Sequence, residues 1–445
     1  MALPARAGPP SIQGGLRILE ARESSLQILP EPARPTNVWG YNGEVAGPLL
    51  RVKKGEELNV RLVNKLSQPT TLHWHGLRII NSMDGAAGLT QEPAQPGSSL
   101  DYRFTPPDSG LFWYHPHCLP YSGEQLARGL HGALIIDEET PPLADRDMLA
   151  VLTDWQLGEG GQIRDFDFAA DGTGAGRIGE TVTCNSRAAE LQETLPPSAR
   201  VRLRLFNAAH SRIMVLGFED VAPLVLAVDS QPCEPFEPAH GRLPLLPGAR
   251  FDVMFDLAPA AGARAPLMLL GANEVSRPLM SFTTAGPRRP PLPPIAPLTQ
   301  NPLLPAVIKL EAAHRASLTI EAKADAKPGG SSEPQGSPLH WSLYGQSGRG
   351  FGPSPLFSVR RNTPVTLAFV NRTLFPQPMR VHGHAMRILH ALDDGWEPYW
   401  CDTVLVAPGK TKRVAFIADN PGKWAIESAM AGRQATGLAA WFEVR

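Results

Sequence analysis

The 445-residue chain has no run of about twenty apolar residues, so nothing in it reads as a membrane-spanning helix. It has no Cys-x-x-Cys pair. Its four cysteines, Cys118, Cys184, Cys233 and Cys401, are scattered singly, which excludes a zinc ribbon or a thioredoxin-like motif. One or two disulfides stay open to them, and the spacing does not pair them. An excess of either charge is also lacking: 42 Lys and Arg stand against 43 Asp and Glu, a net charge of -1, which disfavours nucleic acid or an anionic membrane as partner. The opening residues Met1 to Arg6 lack the apolar segment of a signal peptide. The expectation is a soluble protein, either cytoplasmic or written here without its export signal.

Turn formers, by contrast, are plentiful. With 46 Pro and 41 Gly and only 19% charged residues, the chain is punctuated every few residues, which excludes long helices and points to an all-β protein. Its length suggests about three domains at roughly 150 residues each.

An internal repeat supports that number. An alternating strand ending in Asn occurs at Leu58 to Asn64, Val201 to Asn207 and Val365 to Asn371. Each is followed at a distance by a Pro-Gly turn, Pro96-Gly97, Pro247-Gly248 or Pro408-Gly409, that leads into another strand. Three copies of one β-domain are therefore expected, at 1–142, 147–286 and 305–445, with a Pro-rich linker over 287–304. The stretch 321–338, rich in Lys, Gly, Ser and Pro, reads as a long mobile loop inside the third copy.

The chemistry sits on the first copy. His73-Trp74-His75-Gly76 and Trp113-Tyr114-His115-Pro116-His117 each place two imidazoles two residues apart, on one face of an extended strand. One such pair alone is usually an ordinary strand with two hydrogen-bonded histidines. Two pairs, each against a Trp, point to a site for copper or a similar metal, since imidazole is the commonest protein ligand for such ions. The repeat then aligns the third copy without outside help. Nine and eleven residues after Asn64 lie His73 and His75; nine and eleven after Asn371 lie Arg380 and His382, with Gly76 matching Gly383. Five and seven after Gly110 lie His115 and His117; five and seven after Gly422 lie Glu427 and Ala429. The same count in the second copy gives Leu216 and Phe218, so no site is expected there. The first and third copies read as two halves of one pseudosymmetric metal site, with their histidine faces in contact.

On these motifs, together with Leu246-Pro247-Gly248-Ala249-Arg250 and Asp252, and Gln377-Pro378-Met379-Arg380-Val381-His382-Gly383-His384, the chain resembles the multicopper oxidases, the family of laccases and bacterial copper-efflux oxidases. The resemblance implies three cupredoxin-like Greek-key β-sandwiches, a periplasmic location, a blue type-1 copper that collects electrons, and a three-copper cluster that reduces oxygen. It also shows departures. The type-1 ligand positions fall on Gln377, Ser428 and Arg433, with Leu438 axial, and a hydroxyl at 428 is no substitute for a thiolate. In the cluster, His73 would serve the type-2 copper, whose other ligand has become Arg380. His75 and His115 would serve one type-3 copper that has lost its third ligand at Ala429. His117 and His382 would serve the other, with Glu427 in place of a histidine. His384 keeps the family residue behind the ligands. His131, His210, His240, His314, His340 and His390 lack any motif context and read as ordinary.

Five of eight cluster ligands remain. A permanent cation at Arg380 about 5 Å from a dication would cost roughly 6 to 7 kcal/mol at an effective dielectric near 20, enough to oppose a type-2 copper. His117, His382 and Glu427 still make a two-histidine, one-carboxylate set able to hold one transition-metal ion. One or two copper ions rather than four are expected, with laccase-type activity absent. In a metal-free chain, Arg380 and Glu427 are expected to face each other as an ion pair, the alternative being that both swing to solvent. The competing reading is a non-redox scaffold for a protein partner, for which the family's copper-free bacterial cell-division member is the precedent.

Overall fold

The computed structural model of the chain describes residues 15–271, 275–322, 340–391 and 395–445. Among these residues the strands form six sheets. Two four-stranded sheets lie within 17–137, a six- and a five-stranded sheet within 146–284, and another six and five within 314–444. The all-β, cupredoxin-like expectation is met: each pair of sheets encloses apolar side chains, as in the first, where Leu19, Leu58 and Leu62 of one sheet pack with Phe112, Leu134 and Ile136 of the other.

The Asn-ended strand has a physical role in every copy. Asn64, Asn207 and Asn371 are all buried. Each side-chain oxygen accepts from the backbone N–H two residues on, that of Leu66, Ala209 or Thr373. Each amide donates onward, to the carbonyls of Gln68 and Ala94, of Arg212 and Leu245, or of Phe375 and Val406. The asparagine thus ends its strand by fixing the turn that follows and tying it to a distant loop. The strands after the Pro-Gly turns, Ser99–Phe104, Arg250–Asp256 and Thr411–Ala418, then pair antiparallel with the Asn-ended ones.

Strict alternation holds in Leu58–Asn64, whose odd residues are half-exposed, but not in Arg200–Asn207, which is buried throughout. There the outward arginines are covered by carboxylates. Arg202 pairs with Asp252 and with Glu138 from the tail of the first sandwich, and Arg204 with Asp147 at 2.8 Å. The face that would meet water in a lone sandwich is an internal, charge-paired joint here.

The Pro-rich linker is also docked: Leu298 packs with Leu226, Ala227 and Met254, and Asn301 donates to Asp108 at 2.7 Å. The expected loop at 321–338 falls outside the described residues from 323 onward; Glu321 and Ala322 end the strand His314–Ala322. All four cysteines are buried free thiols, so the disulfides left open by the sequence do not form. No helix among the described residues is long and apolar enough to cross a membrane.

Candidate metal centre

The histidines are delivered by adjacent antiparallel strands. His73–His75 pairs with Gly110–His115 so that His73 lies opposite His115 and His75 opposite Trp113. Trp74 points the other way, into the first core, against Tyr102 and Phe104. From the third sandwich, Gln377–Val381 pairs with Gly422–Ser428, setting Arg380 opposite Glu427. The two halves meet as the repeat requires: the His73 and His382 rings stack with centroids 4.2 Å apart, and His117 lies edge-on to His382 at 5.2 Å. His73, His75, His115, His117, His382, Arg380 and Glu427 are all buried.

Gly76 and Gly383, matched by the repeat, both have positive φ. A Cβ at Gly76 would come within 2.2 Å of the Arg250 guanidinium, and one at Gly383 within 2.4 Å of the Trp424 ring. Close approach demands glycine at both.

The expected ion pair between Arg380 and Glu427 does not form. Arg380 Nη1 donates to His75 Nδ1 at 2.6 Å and Nη2 to His73 Nε2 at 2.7 Å. Glu427 instead accepts from His117 Nε2 at 2.9 Å, from His382 Nε2 at 2.9 Å and from Gln434 at 3.0 Å. Neither side chain swings to solvent. Each charge finds a closer partner in the imidazoles, because residues opposite one another on a ladder project side by side and both reach across to the first sandwich.

These contacts define tautomers. A guanidinium only donates, so His73 Nε2 and His75 Nδ1 present lone pairs to Arg380. His73 Nδ1–H then donates to the Asp84 carbonyl at 2.7 Å. His115 Nδ1–H donates to the Pro116 carbonyl at 2.9 Å, leaving its Nε2 lone pair 3.3 Å from His75 Nδ1. Burial holds His73 down at about 3 and His75 and His115 well below the usual imidazole range, with Arg380 reinforcing all three. His382 differs. Burial and Arg380 press it down, but it donates to Asp84 Oδ2 at 3.0 Å and to Glu427, and these carboxylates outweigh both and raise it. Burial opposes ionisation of Asp84 and Glu427, yet the facing histidines keep both well below the carboxylate range. The cluster holds its charges in balance, guanidinium and imidazolium against two carboxylates.

Among the described residues, three groups of side chains bring potential ligand atoms within 4.8 Å of one another: His73, His75 and His115; His73, Asp84 and His382; and His117, His382 and Glu427. Asp84 was not singled out from the sequence, nor were Asp402 and Gln434. Asp402 lies 3.6 Å from His75 Nε2 and 2.7 Å from Arg250, joining all three sandwiches. None has a motif of its own; Asp84-Gly85 eleven residues after His73 is the one local signal that could have drawn attention. His384 donates from Nδ1 to the His382 carbonyl, behind the cluster.

The other group of sequence-selected positions also converges. Arg433 Nη1 donates to Gln377 Oε1 at 2.6 Å and to the Pro376 carbonyl at 2.7 Å, and Nη2 reaches the Gly174 carbonyl of the second sandwich at 2.6 Å. Ser428 Oγ accepts from Met430 N–H at 3.2 Å, and Leu438 N–H donates to the Arg433 carbonyl at 2.8 Å. All four side chains are buried, and burial lowers Arg433 to about 10. The short helix Ala431–Ala435, which carries Arg433 and Gln434, packs against two other short helices, Ser122–Ala127 and Phe168–Gly172.

Comparison with known proteins accounts for the arrangement. Two domain models described as multicopper oxidase match residues 24–141 and 325–445. The multicopper oxidase MmcO of Mycobacterium tuberculosis is 29% identical over 94% of this chain and 86% of its own length. The crystal structure of a multi-copper oxidase from Pseudomonas thermotolerans is 30% identical, covers 97% of this chain and 99% of its own, and superposes with a TM-score of 0.85. Lac15, from a marine microbial metagenome, is also 30% identical, over 96% of this chain and 100% of its own, with a TM-score of 0.78. On fold, motifs and near-complete coverage, the chain belongs to the multicopper oxidase family.

Proposed function

We propose that this protein is a multicopper oxidase family member without a type-1 copper or a complete three-copper cluster, and that it binds one transition-metal ion through His117, His382 and Glu427. The observation that carries this reading is that Glu427 Oε1 lies 2.9 Å from Nε2 of both His117 and His382. Ligand atoms bound tetrahedrally to one ion at about 2.0–2.2 Å lie roughly 3.3 to 3.6 Å apart, so the set has to open by only about half an ångström to close on a metal. Asp84, hydrogen-bonded to the far nitrogen of His382, would orient that ring as a ligand and raise its basicity. An ion held there would supply Lewis acidity and, if it is copper, a one-electron couple.

The residues around Arg433 do not fit a blue copper. A guanidinium hydrogen-bonded to Gln377 beside a serine hydroxyl offers neither thiolate nor imidazole. Nor does the Arg380 side of the histidine cluster suit a set of three coppers, since a fixed cation sits on His73 and His75. Copper is the metal that the family likeness favours. By the same likeness we place the protein in the periplasm, which cell fractionation tests.

A second reading, a non-redox scaffold that binds a protein partner, draws on one observation: Glu427 already accepts from His117, His382 and Gln434, so that carboxylate is satisfied without any ion. Metal content separates the two. Protein loaded with copper or zinc and desalted is expected to keep one ion per chain by plasma mass spectrometry. Retention of none would leave the scaffold reading.

A further inference from the structure

We propose that Arg380 is the residue that limits this site to a single ion: its guanidinium fork occupies the two imidazole lone pairs through which the His73, His75 and His115 side of the cluster would otherwise take metal. The inference rests on the single-ion reading above and concerns how many ions the same cluster admits.

Arg380 and Glu427 divide four of the five histidines between them, two each. The two stand opposite each other on neighbouring strands, so their side chains enter the cluster together. The cation takes nitrogens that carry lone pairs, His73 Nε2 and His75 Nδ1, at 2.7 and 2.6 Å. The anion takes nitrogens that carry protons, Nε2 of His117 and His382. This is a chemical difference, not only a geometric one. On the Glu427 side an ion replaces protons, and the carboxylate that accepted them becomes the third ligand. On the Arg380 side the lone pairs are already filled by a group that cannot lose its charge, so an incoming ion must both displace the fork and stand beside a permanent cation.

There is also nowhere for the fork to go. Arg380 is buried, and the cavity beside it, lined by His75, His115, Ala429 and Gln434 among others, has a volume of only about 10 Å³. That is room for one water molecule. His115 Nε2, the remaining lone pair, points toward His75 Nδ1 at 3.3 Å. It therefore shares its neighbour with the guanidinium and is not an independent chelating site. The fork does for these histidines what a metal would do: it fixes two rings and neutralises the lone-pair repulsion between them.

The test compares full-length wild type with Arg380→His and Arg380→Met, each loaded with excess copper or zinc, desalted and assayed for ions per chain. The expected result is one ion for wild type and at least two for Arg380→His, with Arg380→Met at or above wild type. Equal stoichiometry in wild type and Arg380→His, or two ions in wild type, overturns the inference. A wild type that retains none refutes the single-ion reading instead; a gain of ions in Arg380→His would then still support the blocking role. Should the variants not fold, nitrogen NMR of the metal-free wild type decides. His73 Nε2 and His75 Nδ1 are expected to be unprotonated acceptors with the Arg380 N–H protons shifted downfield, and protonation of either nitrogen overturns the assignment.

Discussion

Arg433 donates to Gln377 across 2.6 Å in the interior of the third sandwich, with its guanidinium 4.9 Å from the centroid of the Trp341 ring. A cation with an amide partner occupies the place where the family resemblance puts an electron-collecting copper. The purified protein is therefore expected to show no intense blue charge-transfer band after copper reconstitution, and no four-electron oxygen reduction with phenolic donors. Ser428→Cys alone should not restore either, because Gln377 and Arg433 still supply no imidazole. Robust laccase turnover by the wild type, followed by oxygen uptake, would defeat this reading.

Glu427 carries the proposed ion site, so removing its charge while keeping its shape is the direct probe. Glu427→Gln is expected to weaken zinc or copper binding by at least about 10- to 100-fold, the range typical of losing a group that only supports a ligand. Wild type held with free metal at about one hundred times its dissociation constant should gain about 2.7 kcal/mol of stability, and the variant should gain far less at the same concentration. Isothermal titration calorimetry and thermal melts report both. Identical affinities would place the metal elsewhere.

Acid should destabilise the metal-free protein. Chiefly through burial, His73 and His210 are held down at about 3, and His131 and His384 at about 4. On unfolding they return to about 6.5. Between those limits the unfolded chain binds more protons, so stability falls as pH is lowered below about 6.5, by up to about 1.4 kcal/mol per group per pH unit. His382, raised by its carboxylates, has the opposite sign: its contribution is complete below about pH 6.5 and is lost as pH rises through its folded value. Burial raises the carboxyls of Asp154 and Asp229 to about 6 and about 7, which adds to the His382 sign, but six lowered imidazoles, His75 and His115 included, outweigh these three. The melting temperature is expected to drop from pH 7 to pH 5, and His131→Leu, away from the cluster, should shallow the slope. A flat profile over that interval would falsify the assignment of these rings as neutral.

Gly76→Ala tests the junction of the three sandwiches. The added methyl would sit 2.2 Å from Arg250 Nη2 and 2.8 Å from Asp402 Oδ2, at a residue whose φ is +87. It would have to part a buried ion pair that spans 2.7 Å, for a loss of about 3 to 5 kcal/mol, beyond roughly 1 to 2 kcal/mol for the backbone. Gly55→Ala is the control: its φ is +84, with nothing within 4 Å of the added atom, so only the backbone cost remains. Chemical denaturation of both variants should show that difference, and equal losses would mean that the Arg250–Asp402 pair yields without cost.

The sequence by itself determined the all-β fold and which histidines enter the cluster, together with Arg380 and Glu427. Strand alternation has a period of two, so His73 with His75 must share a face, and the recurrent Asn and Pro-Gly punctuation carries that face from the first copy to Arg380, His382 and Glu427 in the third. These are local signals, readable because a strand's two faces and a turn's backbone depend on residues close in sequence. The pairing of charges inside the cluster was not readable. Arg380 and Glu427 have opposite signs and adjacent positions, and sequence logic joins them; the structure sends Arg380 to His75 and Glu427 to His117 in the first sandwich, 305 and 310 residues away along the chain, and Glu427 also to His382 of its own. Asp84, Asp402 and the buried arginines at 202 and 204 escaped for the same reason. Each has at least one partner in another sandwich, Asp84 in His382, Asp402 in Arg250, Arg202 and Arg204 in Glu138, and only the docking of one copy on another decides which charges lose water and therefore which contacts are worth most.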